Sequence, residues 1–127
     1  MNSSSRPAPH VALVDDDADV RSALHALLRS YGYRVTLYDG AHALLAAGVD
    51  GVDCVVSDVQ MPGMDGLELL ACLRAGAASP PCILMTAFPD RHIRARALRS
   101  GAACFLSKPV DAEELAGCIA AAGAAPA

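Results

Sequence analysis

The chain has 127 residues, of which 54% are hydrophobic and 19% charged, with a formal net charge of −4. That length and apolar content suit one domain with its own core and exclude an unfolded chain. The acidic balance disfavours non-specific nucleic-acid binding, which needs a cationic surface, and no run approaches the roughly 18 apolar residues of a membrane span.

Residues 1–10, MNSSSRPAPH, are polar with two prolines and lack the apolar stretch of a secretion signal. They are expected to form a disordered tail ahead of a domain over 11–122 in a cytoplasmic protein. VALV at 11–14 reads as a strand and runs into Asp15, Asp16 and Asp17. Val20, Ala23, Leu24, Leu27, Leu28 and Tyr31 then fall on one helical stripe, with Asp17 as N-cap and Gly32 as the stop. RVTLY at 34–38 alternates like a strand near a sheet edge, and a short helix follows over 41–47. CVVS at 54–57 is a third strand ending at Asp58. The turn signal Pro62-Gly63 follows, then a helix opened by Asp65 or Gly66 and marked by Leu67, Leu70 and Leu73. CILMT at 82–86 is the fourth strand. The helix after it, Asp90 to Ser100, should turn Ile93, Ala97 and Leu98 inward and end at Gly101. CFLS at 104–107 is the fifth strand. The last helix is opened by Asp111 with Glu114 three residues on, and carries Leu115, Cys118, Ile119 and Ala122. Residues 123–127 read as a flexible end.

Strand and helix alternate five times. That order predicts a doubly wound (βα)5 α/β fold, with a central five-stranded parallel sheet between two helix layers. The five cysteines, Cys54, Cys72, Cys82, Cys104 and Cys118, form no CxxC pair and read as small buried core residues, not as disulfides. His10, His25, His42 and His92 fall outside every motif and read as surface or helix residues.

In open parallel sheets, ligands bind beyond the carboxyl ends of the strands. Asp15, Asp16, Asp58, Thr86 and Lys108 all stand there, so three carboxylates, a hydroxyl and an ammonium converge. Two carboxylates about 4 Å apart repel by roughly 1 kcal/mol even in bulk water. Capping a helix needs one carboxylate, not three. An oxygen-only cluster suits Mg²⁺, aided by Lys108 and by a backbone carbonyl near Gln60. A carboxylate such as Asp58 can attack phosphorus, and metal, ammonium and hydroxyl would stabilise the transferred group.

VDDD at 14–17, SDVQMPGMDG at 57–66, MTA at 85–87 and FLSKP at 105–109 together resemble the receiver domain of two-component response regulators, the CheY-like family, with wording similar to its FixJ-like subgroup. The resemblance implies a flavodoxin-like fold and a phosphoryl group taken from a histidine kinase or histidine phosphotransfer protein. It implies Asp58 as phosphoacceptor, with Mg²⁺ (or Mn²⁺) held by Asp16, Asp58 and the Gln60 main-chain carbonyl, and by Asp15 mainly through water. Thr86 and Lys108 would contact the phosphoryl oxygens, Thr86 and Phe105 would form the switch, and Gln60 and Phe88 would tune dephosphorylation, with Phe88 shielding the acyl phosphate. Such a chain signals rather than turning over a substrate.

Arg91, Arg94, Arg96 and Arg99 on the fourth helix suit an acidic partner, or a homodimer through the fourth helix, fifth strand and fifth helix. No direct nucleic-acid or membrane contact is expected. A phosphatase using an aspartyl phosphate would place its nucleophile after the first strand with a second acid two residues on; here Asp58 follows the third strand and Gln60 stands at that position. A receiver that only binds partners is disfavoured by the intact Asp16, Asp58, Thr86 and Lys108.

Overall fold

The computed structural model describes residues 8–124. Five strands, β1 (His10–Val14), β2 (Arg34–Tyr38), β3 (Cys54–Asp58), β4 (Cys82–Thr86) and β5 (Cys104–Ser107), alternate with five helices, α1 (Ala18–Ser30), α2 (Ala41–Ala47), α3 (Gly66–Ala75), α4 (Arg91–Arg99) and α5 (Ala112–Ile119). All strand pairs are parallel, in the order β2-β1-β3-β4-β5. The doubly wound sheet expected from the sequence is therefore present, and the alternating RVTLY lies at an edge. The expected tail and flexible end fall largely on 1–7 and 125–127, outside the described residues. Of the described part, His10 is already the first residue of β1.

Side chains of a strand point alternately to its two faces, and here both faces are covered. Val11, Leu13, Cys54, Val56, Ile83, Met85 and Leu106 pack with Leu24 and Leu28 of α1 and Leu115 and Ile119 of α5. Ala12, Val14, Val55, Cys82, Leu84 and Phe105 pack with α2, α3 and α4 through Leu44, Leu67, Leu70, Leu73 and Ala97. Such burial explains the unbroken apolar runs. Each fully buried leucine, Leu13 and Leu84 among them, contributes about 1.5–3 kcal/mol.

Caps fix where the helices begin. Asp17 accepts from the amides of Asp19 and Val20, Asp90 from His92 and Ile93, and Asp111 from Glu114. The reciprocal capping box is found at α3, where Asp65 and Glu68 each accept from the other's backbone N–H. Gly32 and Gly101, at φ +95° and +100°, end α1 and α4 in the left-handed conformation that glycine tolerates.

Three expectations need correction. Leu98 is 42% exposed: the inward stripe of α4 is Ile93 and Ala97, and Leu98 lies about 100° round the helix from Ala97. Cys72 is exposed, on the side of α3 away from its leucines, while Cys104 and Cys118 are only half-buried. His10 is a half-buried strand residue whose ring nitrogen lies 2.7 Å from Thr36 Oγ1. No described helix is long and apolar enough to cross a membrane.

Candidate functional site

The strand order reverses at β1: the chain goes from β1 outward to β2, then back to β3 on the other side. Such a switch point leaves a crevice at the carboxyl ends of the two central strands. Val14 pairs with Ser57, so Asp15 and Asp58 are the next residues on neighbouring strands. The Asp15 N–H still donates to Tyr38 O, and the Lys108 N–H donates to Thr86 O at 2.8 Å. The site therefore stands on strand tips held by the sheet ladder. The Lys108–Pro109 peptide bond is cis.

The β3–α3 loop folds back tightly. Gly63, at φ +76°, makes the turn, and the Gly66 N–H donates to Val59 O at 2.9 Å. A Cβ on Gly66 would collide with the carbonyl oxygen of Asp58 and come within 2.9 Å of Val59 Cα. Only glycine lets α3 start this close to the Asp58–Val59 backbone.

Carboxylate oxygens of Asp15, Asp16 and Asp58 lie within 4.8 Å of one another, with Asp15 and Asp58 buried and Asp16 exposed. Lys108 Nζ is 2.8 Å from Asp15 Oδ2 and 3.2 Å from Asp58 Oδ2. Asp15 Oδ1 accepts from the Asp17 N–H at 2.9 Å, so both Asp15 oxygens are engaged. Arg21 is tied to the same turn, donating to the Asp15 carbonyl at 2.7 Å. Asp58 Oδ1 is buried without a partner, one of two such side-chain atoms among the described residues. An unpartnered buried acceptor costs about 1–3 kcal/mol.

Burial pushes the Asp58 carboxyl above the usual carboxylate range, and Asp15 adds to the rise against the pull of Lys108 and the Gln60 N–H. Burial also works to lower the Lys108 ammonium, but Asp15 and Asp58 outweigh it and hold it above the ordinary lysine value. One ammonium thus serves two buried carboxylates. The orphaned Asp58 Oδ1 and the all-oxygen donor set fit a hard divalent cation. The Gln60 main-chain carbonyl accepts none of the described hydrogen bonds.

Sequence reasoning gathered these acids with Lys108 but missed where Thr86 points. Its Oγ1 donates to Gln60 Oε1 at 2.7 Å and accepts from the Phe88 N–H at 3.0 Å. No spacing rule carries that signal, because the bond joins a loop to the end of β4 through side-chain rotamers. The Phe88 ring stands 72% exposed. Phe105 lies apart from the acids, already buried at 8% exposure in the layer with α3 and α4. Its carbonyl accepts from Arg94 at 3.5 Å.

Comparison with known proteins agrees with this architecture. The family model "response regulator receiver domain" matches residues 11–120. FixJ, a transcriptional regulatory protein of Bradyrhizobium diazoefficiens, is 44% identical over 108 residues, covering 84% of this chain and 52% of its own. FixJ of Azorhizobium caulinodans is 46% identical over 102 residues, 80% of this chain and 48% of its own. The chain thus spans about half the length of these curated relatives. Among solved structures, FixJ-N superposes with a TM-score of 0.84 at 31% identity, over 92% of this chain and 94% of that one. Five parallel strands with a carboxylate pair at their switch point, and a family match over nearly the whole sequence, lead to one conclusion: the chain belongs to the response regulator receiver domain family.

Proposed function

We propose that this chain is a phosphorylation switch that takes a phosphoryl group onto Asp58 from a phosphohistidine, on a histidine kinase or a histidine phosphotransfer protein. The observation that carries this reading is the state of Asp58. One of its oxygens is pinned by Lys108 and the other is buried without a partner, beside two further aspartates. In the transfer, an Asp58 oxygen forms the new O–P bond as the P–N bond breaks and its electron pair returns to the donor imidazole. Lys108 donates to one phosphoryl oxygen and the Thr86 hydroxyl to another.

Mg²⁺, or Mn²⁺ in its place, would be held by Asp16, Asp58 and the Gln60 main-chain carbonyl, and through water by Asp15. When bound it neutralises charge on the transferred group. Asp15 suits the outer role because both its oxygens already have partners.

Phosphorylation adds charge and three strong acceptors. Meeting them turns the Thr86 hydroxyl toward a site where Lys108 already stands, and biases the α4–β5–α5 face. Phe105, already inside, responds by repacking under α4 rather than by entering from solvent. On that face Arg91 and Arg94 of α4 stand beside Phe105 and Ser107 of β5, which suits an acidic partner or a second copy of the chain. Gln60 and Phe88 tune how fast the phosphoryl group is lost. The chain acts on itself, in the cytoplasm, and no substrate is turned over.

The test is to incubate the protein with acetyl phosphate and Mg²⁺ and weigh it intact. One added phosphoryl mass on the wild type, absent from Asp58→Asn, supports the reading. The same mass on Asp58→Asn moves the phosphoacceptor elsewhere.

A further inference from the structure

Thr86 is completely buried at the end of β4. Its hydroxyl has one proton to give, and here that proton goes to Gln60 Oε1 at 2.7 Å. The Thr86 hydroxyl oxygen in turn accepts from the Phe88 N–H at 3.0 Å. While both bonds stand, the hydroxyl cannot donate to anything bound at Asp58. Gln60 sits two residues beyond Asp58, in the connection between β3 and α3. A residue two places from the phosphoacceptor therefore holds the hydroxyl that must reach the transferred group.

We infer that the Gln60 side chain is a positioning residue: a latch that holds Thr86 turned away from Asp58 and sets how readily the switched state is reached. The inference rests on the reading of Asp58 as phosphoacceptor. A bond made in the resting state and broken in the switched state lowers affinity for whatever selects the switched state. The latch is weak by construction. Gln60 is exposed, so water competes for its amide and the net worth of the bond is small. The buried hydroxyl has fewer choices: released from Gln60, it needs another acceptor, and an oxygen bound at Asp58 supplies one. Rotation also withdraws the acceptor of the Phe88 N–H, which frees the start of the β4–α4 connection. Gln60 thereby couples the loop that carries the phosphoryl group to the loop that leads into α4.

Beryllofluoride, which imitates a phosphoryl group on a carboxylate, is the probe. With Mg²⁺ present, Gln60→Met should tighten beryllofluoride binding by about fivefold, the net worth of one hydrogen bond. In a Thr86→Val background, Gln60→Met should change nothing, because the partner is gone. No tightening, or equal tightening in both backgrounds, overturns the latch. A second readout needs neither Mg²⁺ nor beryllofluoride: in the resting protein, Gln60→Met should speed amide hydrogen exchange at Phe88. If wild type fails to bind beryllofluoride while exchange at Phe88 still quickens, the phosphoacceptor reading falls and the latch stands. If wild type binds but Gln60→Met neither tightens binding nor quickens exchange, the latch alone falls.

Discussion

Lys108 Nζ and Asp15 Oδ2 are 2.8 Å apart, and the Asp15 side chain is wholly removed from water. The same ammonium reaches Asp58 at 3.2 Å, so it is the cation on which two buried carboxylates depend. Removing one partner of a buried pair leaves an uncompensated charge and costs about 3–5 kcal/mol. Lys108→Met should therefore lower the unfolding free energy by about that amount in metal-free buffer. Urea unfolding followed by circular dichroism measures it; a loss under about 1 kcal/mol, the worth of a surface pair, would mean that solvent already screens Asp15.

Asp58→Asn should act in opposite directions on two measurements. It removes a charge that burial and the neighbouring Asp15 disfavour, so the metal-free protein should gain about 1 kcal/mol of stability. The same change removes a ligand oxygen, so calorimetric Mg²⁺ affinity should fall by about tenfold or more, a change of at least 1.4 kcal/mol. Asp16→Asn should weaken Mg²⁺ comparably. A variant that kept wild-type affinity would take its residue out of the metal site.

Burial pushes the thiols of Cys54 and Cys82 up to about 12 from an ordinary 9.0. Each group is thus easier to ionise in the unfolded chain. Their favourable contribution is complete below pH 9.0 and is lost as pH rises toward about 12. A Cys54→Ala/Cys82→Ala protein should lose less stability than wild type across that window, read as Tm against pH. Below it, a thiol reagent should label exposed Cys72 first, with Cys54 and Cys82 reacting only on unfolding.

Gly66→Ala should cost about 1–3 kcal/mol, the usual penalty of forcing extra volume into a packed region. The added methyl presses on the backbone of Asp58 and Val59, so labelling by acetyl phosphate should slow as well. Thermal melts and intact mass against time separate the two effects.

Phe88→Ala should shorten the phosphoryl lifetime only if the ring folds over the site as the loop closes, since it stands 72% exposed at rest. Phosphoryl loss timed by mass after removal of acetyl phosphate decides it. An unchanged lifetime limits the role of Phe88 to its backbone bond with Thr86.

Much of the molecule was legible because its signals are local or periodic. Apolar runs of four or five residues gave the strands, and Asp17, Asp90 and Asp111 marked helix starts through caps that need only neighbouring amides. A parallel sheet then forces residues at strand ends to one rim, which is why Asp15, Asp58, Thr86 and Lys108 could be gathered before any coordinates. Leu98 escaped because a nine-residue helix has room for one narrow stripe, and apolar character alone does not say whether its single leucine shares it. The Gln60–Thr86 bond escaped because it depends on two rotamers, one on a loop and one at the end of β4. The sharing of Lys108 between two acids is likewise a matter of distances, which residue order does not carry.

The pairing of Val14 with Ser57 has a wider consequence. It hangs Asp15 and Asp58 on adjoining rungs of one ladder, where strand spacing of about 4.8 Å governs their separation. The acid pair is thus woven into the sheet, and the connections around it are free to diverge in length and wording.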